Sequence, residues 1–232
     1  MLKIPTLNEN AVLQTRQEWQ SAIEQASKLN LALHCDLPKN WDSLVALAAI
    51  LKRTDKTATI LDAGAEIYST ILPWLSSLGY QNLFGINLVF DRPIQSGSIV
   101  YEYGDLTQTK YAENSFDAIT CLSVIEHGVD LDAYFQEMSR LLKPGGILIT
   151  STDYYAEPVD SQNKVAFDVP VRIFSCSQVE EILELAASFD LNLTSPIQLE
   201  CAEQVISWLE LSYTFVVFTL QKSSNNLADK YK

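Results

Sequence analysis

Positive charge is scarce in this chain. Sixteen Lys and Arg stand against 29 Asp and Glu, a net charge of −13 over 232 residues. A field of that sign repels phosphate backbones and anionic headgroups and offers no basic stripe, which disfavours nucleic acid and anionic membranes as partners. Cysteine is sparse as well. Cys35, Cys121, Cys176 and Cys201 are scattered without paired spacing, as expected of reduced thiols rather than disulfides or a zinc site. Long apolar runs are missing: the densest, Val45 to Leu51, is far too short to cross a bilayer. Met1 to Asn10 lacks the apolar stretch of a secretory signal. A cytoplasmic protein is the expectation. Histidine is limited to His34 and His127, far apart in sequence. Glu126 and His127 alone make a poor ligand set, so no metal is expected.

What is present is an ordinary globular composition, 47% apolar and 19% charged, in a length that suits one domain with a substantial core. Residues 9–29 carry a helical pattern, with Val12, Trp19, Ile23 and Ala26 at three-, four- and seven-residue spacings. Trp41 to Lys52 reads as a second helix, entered through Pro38 and capped by Asn40. From residue 57 strand and helix signals alternate. Strands are expected at 58–62, 82–87, 98–103, 116–122, 145–152, 190–198 and 211–221, and helices at 68–78, 129–142 and 177–188. Ser177 and Glu180 have capping-box spacing, and Gly145-Gly146 after Pro144 reads as a helix stop turning into a strand.

That alternation predicts an α/β fold: a doubly wound, mostly parallel seven-stranded sheet with an antiparallel last strand, helices on both faces and an N-terminal helical extension. The expected organisation is a helical cover over 1–56, a core domain over 57–222 and a frayed tail over 223–232. The extension either covers a sheet edge or lids a pocket.

The residues that carry chemistry lie at the predicted strand ends. Ile60-Leu61-Asp62-Ala63-Gly64 ends a buried strand in an acid and a tight turn, the way a parallel sheet opens a nucleotide-sized crevice. Phe84-Gly85-Ile86-Asn87, Tyr103-Gly104-Asp105-Leu106, the run from Phe116 to His127, and Leu141-Leu142-Lys143-Pro144-Gly145-Gly146 follow in order. In that order they resemble the class I S-adenosylmethionine-dependent methyltransferases, particularly the small-molecule branch. The likeness is detailed over 57–152 and in outline to 221.

The resemblance implies S-adenosylmethionine as cofactor, held by Asp62, Gly64, Glu66, Asn87, Leu88, Asp105, Leu106 and Leu122. Gly64 would let backbone approach the methionine part, and Asp105 would accept from the adenine amino group with Leu106 against the ring. Asp62 and Asp105 could equally serve only their own turns. The chain departs from the family at three places: Glu66 and Tyr68 replace loop glycines, and Asn87 replaces the acid that binds the ribose hydroxyls. Glu66 could take over part of the missing charge, or Glu66 and Tyr68 could crowd the loop.

For catalysis the resemblance points to the loop of Ser123, Glu126 and His127. His127 is the first candidate for proton handling, because its ordinary pKa lies near neutrality. Tyr154 is the second. A loop histidine bonded to backbone is the plain alternative for His127. Residues 153–175 would choose the acceptor, with Tyr154, Tyr155, Phe167 and Phe174 as flat apolar surface and Asp153, Asp168 and Arg172 as orienting groups; the same residues could make a packed loop. The expected activity is O- or N-methylation of a small molecule. A non-catalytic protein that binds the cofactor is the alternative. Oligomeric state is left open.

Overall fold

A computed structural model describes residues 7–166 and 168–224. Residues 1–6 at the start of the extension, Phe167, and 225–232 of the expected tail lie outside the described residues. The chain runs through β1 (Ala11–Val12), α1 (Arg16–Lys28), α2 (Lys39–Arg53), β2 (Thr59–Ala63), α3 (Ile71–Ser77), β3 (Asn82–Asn87), β4 (Ile94–Ser96) and β5 (Ile99–Tyr103). It continues through β6 (Phe116–Leu122), α4 (Leu131–Leu141), β7 (Leu142–Tyr154), β8 (Val165–Ala166), β9 (Val169–Pro170) and α5 (Cys176–Ser188). The last strands are β10 (Leu191–Leu193), β11 (Ile206–Trp208) and β12 (Leu211–Lys222).

Five parallel strands in the order β7-β6-β2-β3-β5 form the centre of the sheet. The chain order reverses at β2, so the crevice opens where β3 and β6 leave β2 on opposite sides. β12 joins β7 antiparallel, as expected of the last strand. The main sheet has ten strands rather than seven, because β1, β4 and β11 add short antiparallel segments at its margins. Two or three residues of pairing leave no periodic signal in sequence.

Period-two alternation divides the sheet into two apolar faces. Ile60, Ala118, Ile147, Ile149, Phe215 and Val217 pack toward α1, α2 and α3. Leu61, Ile119, Leu148, Val216 and Phe218 pack toward α4 and α5. Each fully buried Leu, Ile or Phe adds about 2 kcal/mol of transfer free energy. α2 is buried along nearly its whole length.

Several local expectations need correction. Val12 belongs to a strand paired with Val216, and the first helix starts only after Thr15, whose Oγ1 accepts Glu18 N–H at 3.3 Å. Asn40 does not cap α2 from outside. It lies inside the first turn, where its Oδ1 accepts His34 N–H at 2.9 Å and its Nδ2 donates to the Leu37 carbonyl at 2.8 Å. The box at α5 starts at Ser175, whose N–H donates to Gln178 Oε1 at 3.0 Å. Finally, α4 stops at Leu141, and Pro144-Gly145-Gly146 is a bulge inside β7 where the register with β6 shifts.

Candidate functional site

The carboxyl ends of β2, β3, β5 and β6 converge on a cavity of about 580 Å³. It is lined by Gly64 and Glu66 of the β2–α3 turn, Asn87 and Leu88 at the end of β3, Asp105 and Leu106 after β5, and His127 after β6. Seven of the ten residues singled out in the sequence therefore meet in one place. The β2–α3 turn is a cradle fitted to glycine. Gly64 has φ +92°, and a Cβ there would lie 2.5 Å from Val124 Cγ2, so any side chain would both strain the turn and close the space. Gly64 and Ala65 N–H groups donate to the Ile86 carbonyl at 2.8 and 3.0 Å, tying the turn to β3.

Asn87 completes that tie. Its Nδ2 donates to the carbonyls of Gly64 (3.3 Å) and Ala65 (3.0 Å), while its Oδ1 accepts Val89 N–H at 3.3 Å. Asp105 is exposed, and its Oδ1 accepts from the N–H (2.8 Å) and hydroxyl (2.6 Å) of Thr107. One carboxylate oxygen thus shapes the turn. Leu88 and Val89 are 61% and 62% exposed at the cavity's rim, an apolar lip that a flat ligand would cover.

Asp62 sits beneath the turn, outside this cavity. It is buried and accepts from Thr120 Oγ1 at 2.7 Å. Burial, partly offset by that hydroxyl, raises its pKa to about 7. It lines a small space of about 40 Å³ together with Lys39, Asp42, Ser43 and Thr70. Glu66 is half-buried, and burial raises its pKa.

A second cavity of about 560 Å³ adjoins the first. Gly64, Glu66, Tyr68, Ser123 and His127 line both and form the throat between them. Ser123 stands there in the left-handed region, φ +54°, a conformation costly for a non-glycine residue and common at functional sites. Its N–H donates to the carbonyl (3.0 Å) and hydroxyl (3.1 Å) of Ser151, and Ser151 Oγ in turn donates to Asp42 Oδ2 at 2.6 Å. The Ser123 hydroxyl is buried and has no hydrogen-bond partner among the described residues. Burial, and then the charge of Lys39, lower the His127 pKa, so the imidazole is neutral and able to accept a proton at pH 7.

Besides Asp62, two more of the expected residues lie outside the first cavity. Leu122 lines the second cavity and the small space below. Tyr154 is fully buried on the α4–α5 face, its hydroxyl donating to the Leu199 carbonyl, so it cannot handle a proton at the throat. The 153–175 segment is corrected in the same way. Phe174 is fully buried, and the Arg172 guanidinium lies 4.2 Å over its ring. Of the residues expected to meet an acceptor, Asp153 reaches the second cavity. Sequence reasoning missed Lys39, Trp208, Tyr213 and Val169 as wall residues. The one signal for Tyr213 was parity: it shares the sheet face of Phe215 and Val217.

Residues 71–150, about a third of the chain, match the model of a methyltransferase domain, Methyltransf_11. Phosphoethanolamine N-methyltransferase 1 of Triticum aestivum is 32% identical over 110 residues, which is 46% of this chain and 22% of that protein. The chain spans less than a quarter of the length of the curated relatives it matches first. Among solved structures, geranyl diphosphate C-methyltransferase from Streptomyces coelicolor A3(2), in complex with Mg2+, geranyl diphosphate and S-adenosyl-L-homocysteine, aligns with TM-score 0.58. That alignment has 14% identity over 94% of this chain and 92% of the other. The [4+2]-cyclase SpnF aligns with TM-score 0.57 at 14% identity, over 89% and 93%. At such identities the likeness is one of fold.

Proposed function

We propose that this chain, which has the class I S-adenosylmethionine-dependent methyltransferase fold and a methyltransferase domain over residues 71–150, is an enzyme that methylates a small molecule. The observation that carries the reading is the pair of cavities sharing one throat at Gly64, Ser123 and His127. One chamber suits the cofactor and the other an acceptor. The residues present fit the cofactor: a turn that tolerates no Cβ, an apolar lip at Leu88, and a buried acid under the turn at Asp62. When bound, S-adenosylmethionine supplies an electrophilic methyl group on a sulfonium centre.

Gly64, Glu66, Asn87, Leu88, Asp105 and Leu106 hold the cofactor in this reading, with Asp62 acting from beneath the turn and Glu66 replacing part of the charge that Asn87 lacks. The neutral imidazole of His127 takes a proton from the acceptor's nucleophilic atom. Such a transfer depends on alignment and dryness more than on a set of acids and bases. Four free cysteines support a reducing, cytoplasmic setting. No helix among the described residues is long and apolar enough to cross a membrane.

The alternative of a cofactor-binding protein without turnover draws on Asn87, whose amide already serves the turn. Thermal-shift measurements with S-adenosylmethionine, S-adenosylhomocysteine and NAD test the assignment. Stabilisation by the first two but not NAD is expected, and stabilisation by NAD alone overturns it. A methyl-release assay then separates enzyme from binder.

A further inference from the structure

The second cavity is walled by acids from different elements. Asp36 precedes α2, Glu126 follows β6, Asp153 lies near the end of β7, and Glu66 stands at the throat. Glu126 and Asp153 are only 2% and 4% exposed, and Glu126 Oε2 accepts from Thr152 Oγ1 at 2.9 Å. Among the described residues the wall's one lysine or arginine is Lys39, whose Nζ lies 4.7 Å from the Phe215 ring centroid, and His34 lies on the same wall. Trp208 and Tyr213 add aromatic surface, and the unpartnered Ser123 hydroxyl marks where the two chambers meet. A cavity with more buried acid than base lacks a positive charge.

We propose that this chamber admits an acceptor bearing a protonated amine, seated between Glu126 and Asp153 with Trp208 and Tyr213 beside it. The inference rests on reading the adjoining cavity as the S-adenosylmethionine site. Aromatic rings attract cations through their electron-rich faces, and a molecule of net charge −13 draws cations toward any acidic cleft. An anionic acceptor would lie against Asp36 and Glu66 and enter only with Glu126 and Asp153 protonated. A neutral one would give those two acids no counter-charge with which to ionise.

Protonation gives the inference its own signature. Burial raises the pKa of Glu126, and burial together with the neighbouring Glu126 raises that of Asp153. Lys39 and Asp42 from α2, Asp36 from the loop before it, and Tyr213 from β12 also act on this pair, and His127 lines the same wall. Without a cation the acids take up protons. An incoming ammonium favours their ionised form, so binding releases protons.

The test is titration calorimetry on the full chain, first with S-adenosylhomocysteine and then, at saturation, with 2-phenylethylamine, 2-phenylethanol and 3-phenylpropionate. The amine is expected to bind about tenfold more tightly than the alcohol, and the carboxylate not at all. The amine's heat should differ between phosphate and Tris buffers, reporting proton release. Asp153→Asn should weaken the amine about tenfold and reduce that difference, with S-adenosylhomocysteine affinity unchanged; Glu126→Gln serves if that variant fails to fold. Equal affinity for amine and alcohol, or no amine binding at millimolar concentration, overturns this inference alone. Failure of S-adenosylhomocysteine to bind overturns the cofactor reading and this one with it.

Discussion

Asn87 commits both amide hydrogens to the turn beside it, donating to the Gly64 and Ala65 carbonyls. An acid at this position, as the family pattern has it, could accept from ribose but could not donate to those carbonyls. Two demands compete here, and the geometry favours the turn. Asn87→Asp would set a carboxylate against two carbonyl oxygens and leave them unpaired, at a cost of about 2 kcal/mol. Urea unfolding should show that loss, and calorimetry should show weaker rather than tighter S-adenosylhomocysteine binding. A variant that binds more tightly would mean that ribose recognition outweighs the turn. The sequence shows the departure from the family at Asn87; it does not show the carbonyls, because Gly64 and Asn87 become neighbours only once β2 and β3 pair.

Among the elements, the N-terminal segment is bound to the core more firmly than a lid would be. Asn10 Oδ1 accepts Thr219 N–H at 2.6 Å, and Thr219 Oγ1 donates to the Glu9 carbonyl at 3.0 Å. Arg53, at the end of α2, pairs with Glu9 through both carboxylate oxygens. The Glu9 side chain is 9% exposed and that of Arg53 19%, so the pair is largely shielded from solvent. Arg53→Ala should cost about 2 kcal/mol, kept from being larger by Lys52, whose Nζ remains 3.7 Å from Glu9. A lowered Tm with unchanged S-adenosylhomocysteine affinity is expected. An unchanged Tm would show that the strap does not bear on stability.

The elements also show what could be read in advance. The five parallel strands fall close to their expected places because strands buried on both faces read as short continuous apolar runs. Which of the two faces a residue joins decides Tyr154. β7 extends to residue 154, and Asp153 shares parity with Ile147 and Ile149 while Tyr154 shares it with Leu148. Neighbours on a strand point to opposite faces, so the acid faces the cavity and the tyrosine the other core. A strand end expected at 152 hid that choice. Lys39 and Trp208 could not be read at all, since only the packing of α2 and β11 against the sheet carries them to the same wall.

For the whole molecule, buried acids set the dependence of stability on pH. Asp62, with a pKa of about 7 when folded, has an ordinary value near 3.9 when unfolded. Between those values the folded state binds the extra proton, so its contribution is fully present below about pH 4 and is lost as pH rises through 7. Asp42, Glu126 and Asp153 are raised as well, burial being the largest cause for each, and act in the same direction. Glu9 is lowered chiefly by Arg53. Burial pushes Glu102 and Glu137 up, but hydrogen bonds from Lys110 and Tyr111, and from Arg140 and Thr109, outweigh it and lower both. These three contribute above the ordinary glutamate range and lose their contribution as pH falls through their folded values. The two groups of acids oppose each other, so the ligand-free protein should be most stable near pH 5 and lose stability toward pH 7.5. Asp62 alone accounts for a loss of about 2.5 kcal/mol over that window. Thermal melts across that range should show Tm falling with pH, and Asp62→Asn should flatten the slope. A Tm that rises from pH 5 to 7.5 would mean that the acids around the two cavities are ionised in the empty protein, with their charges already compensated.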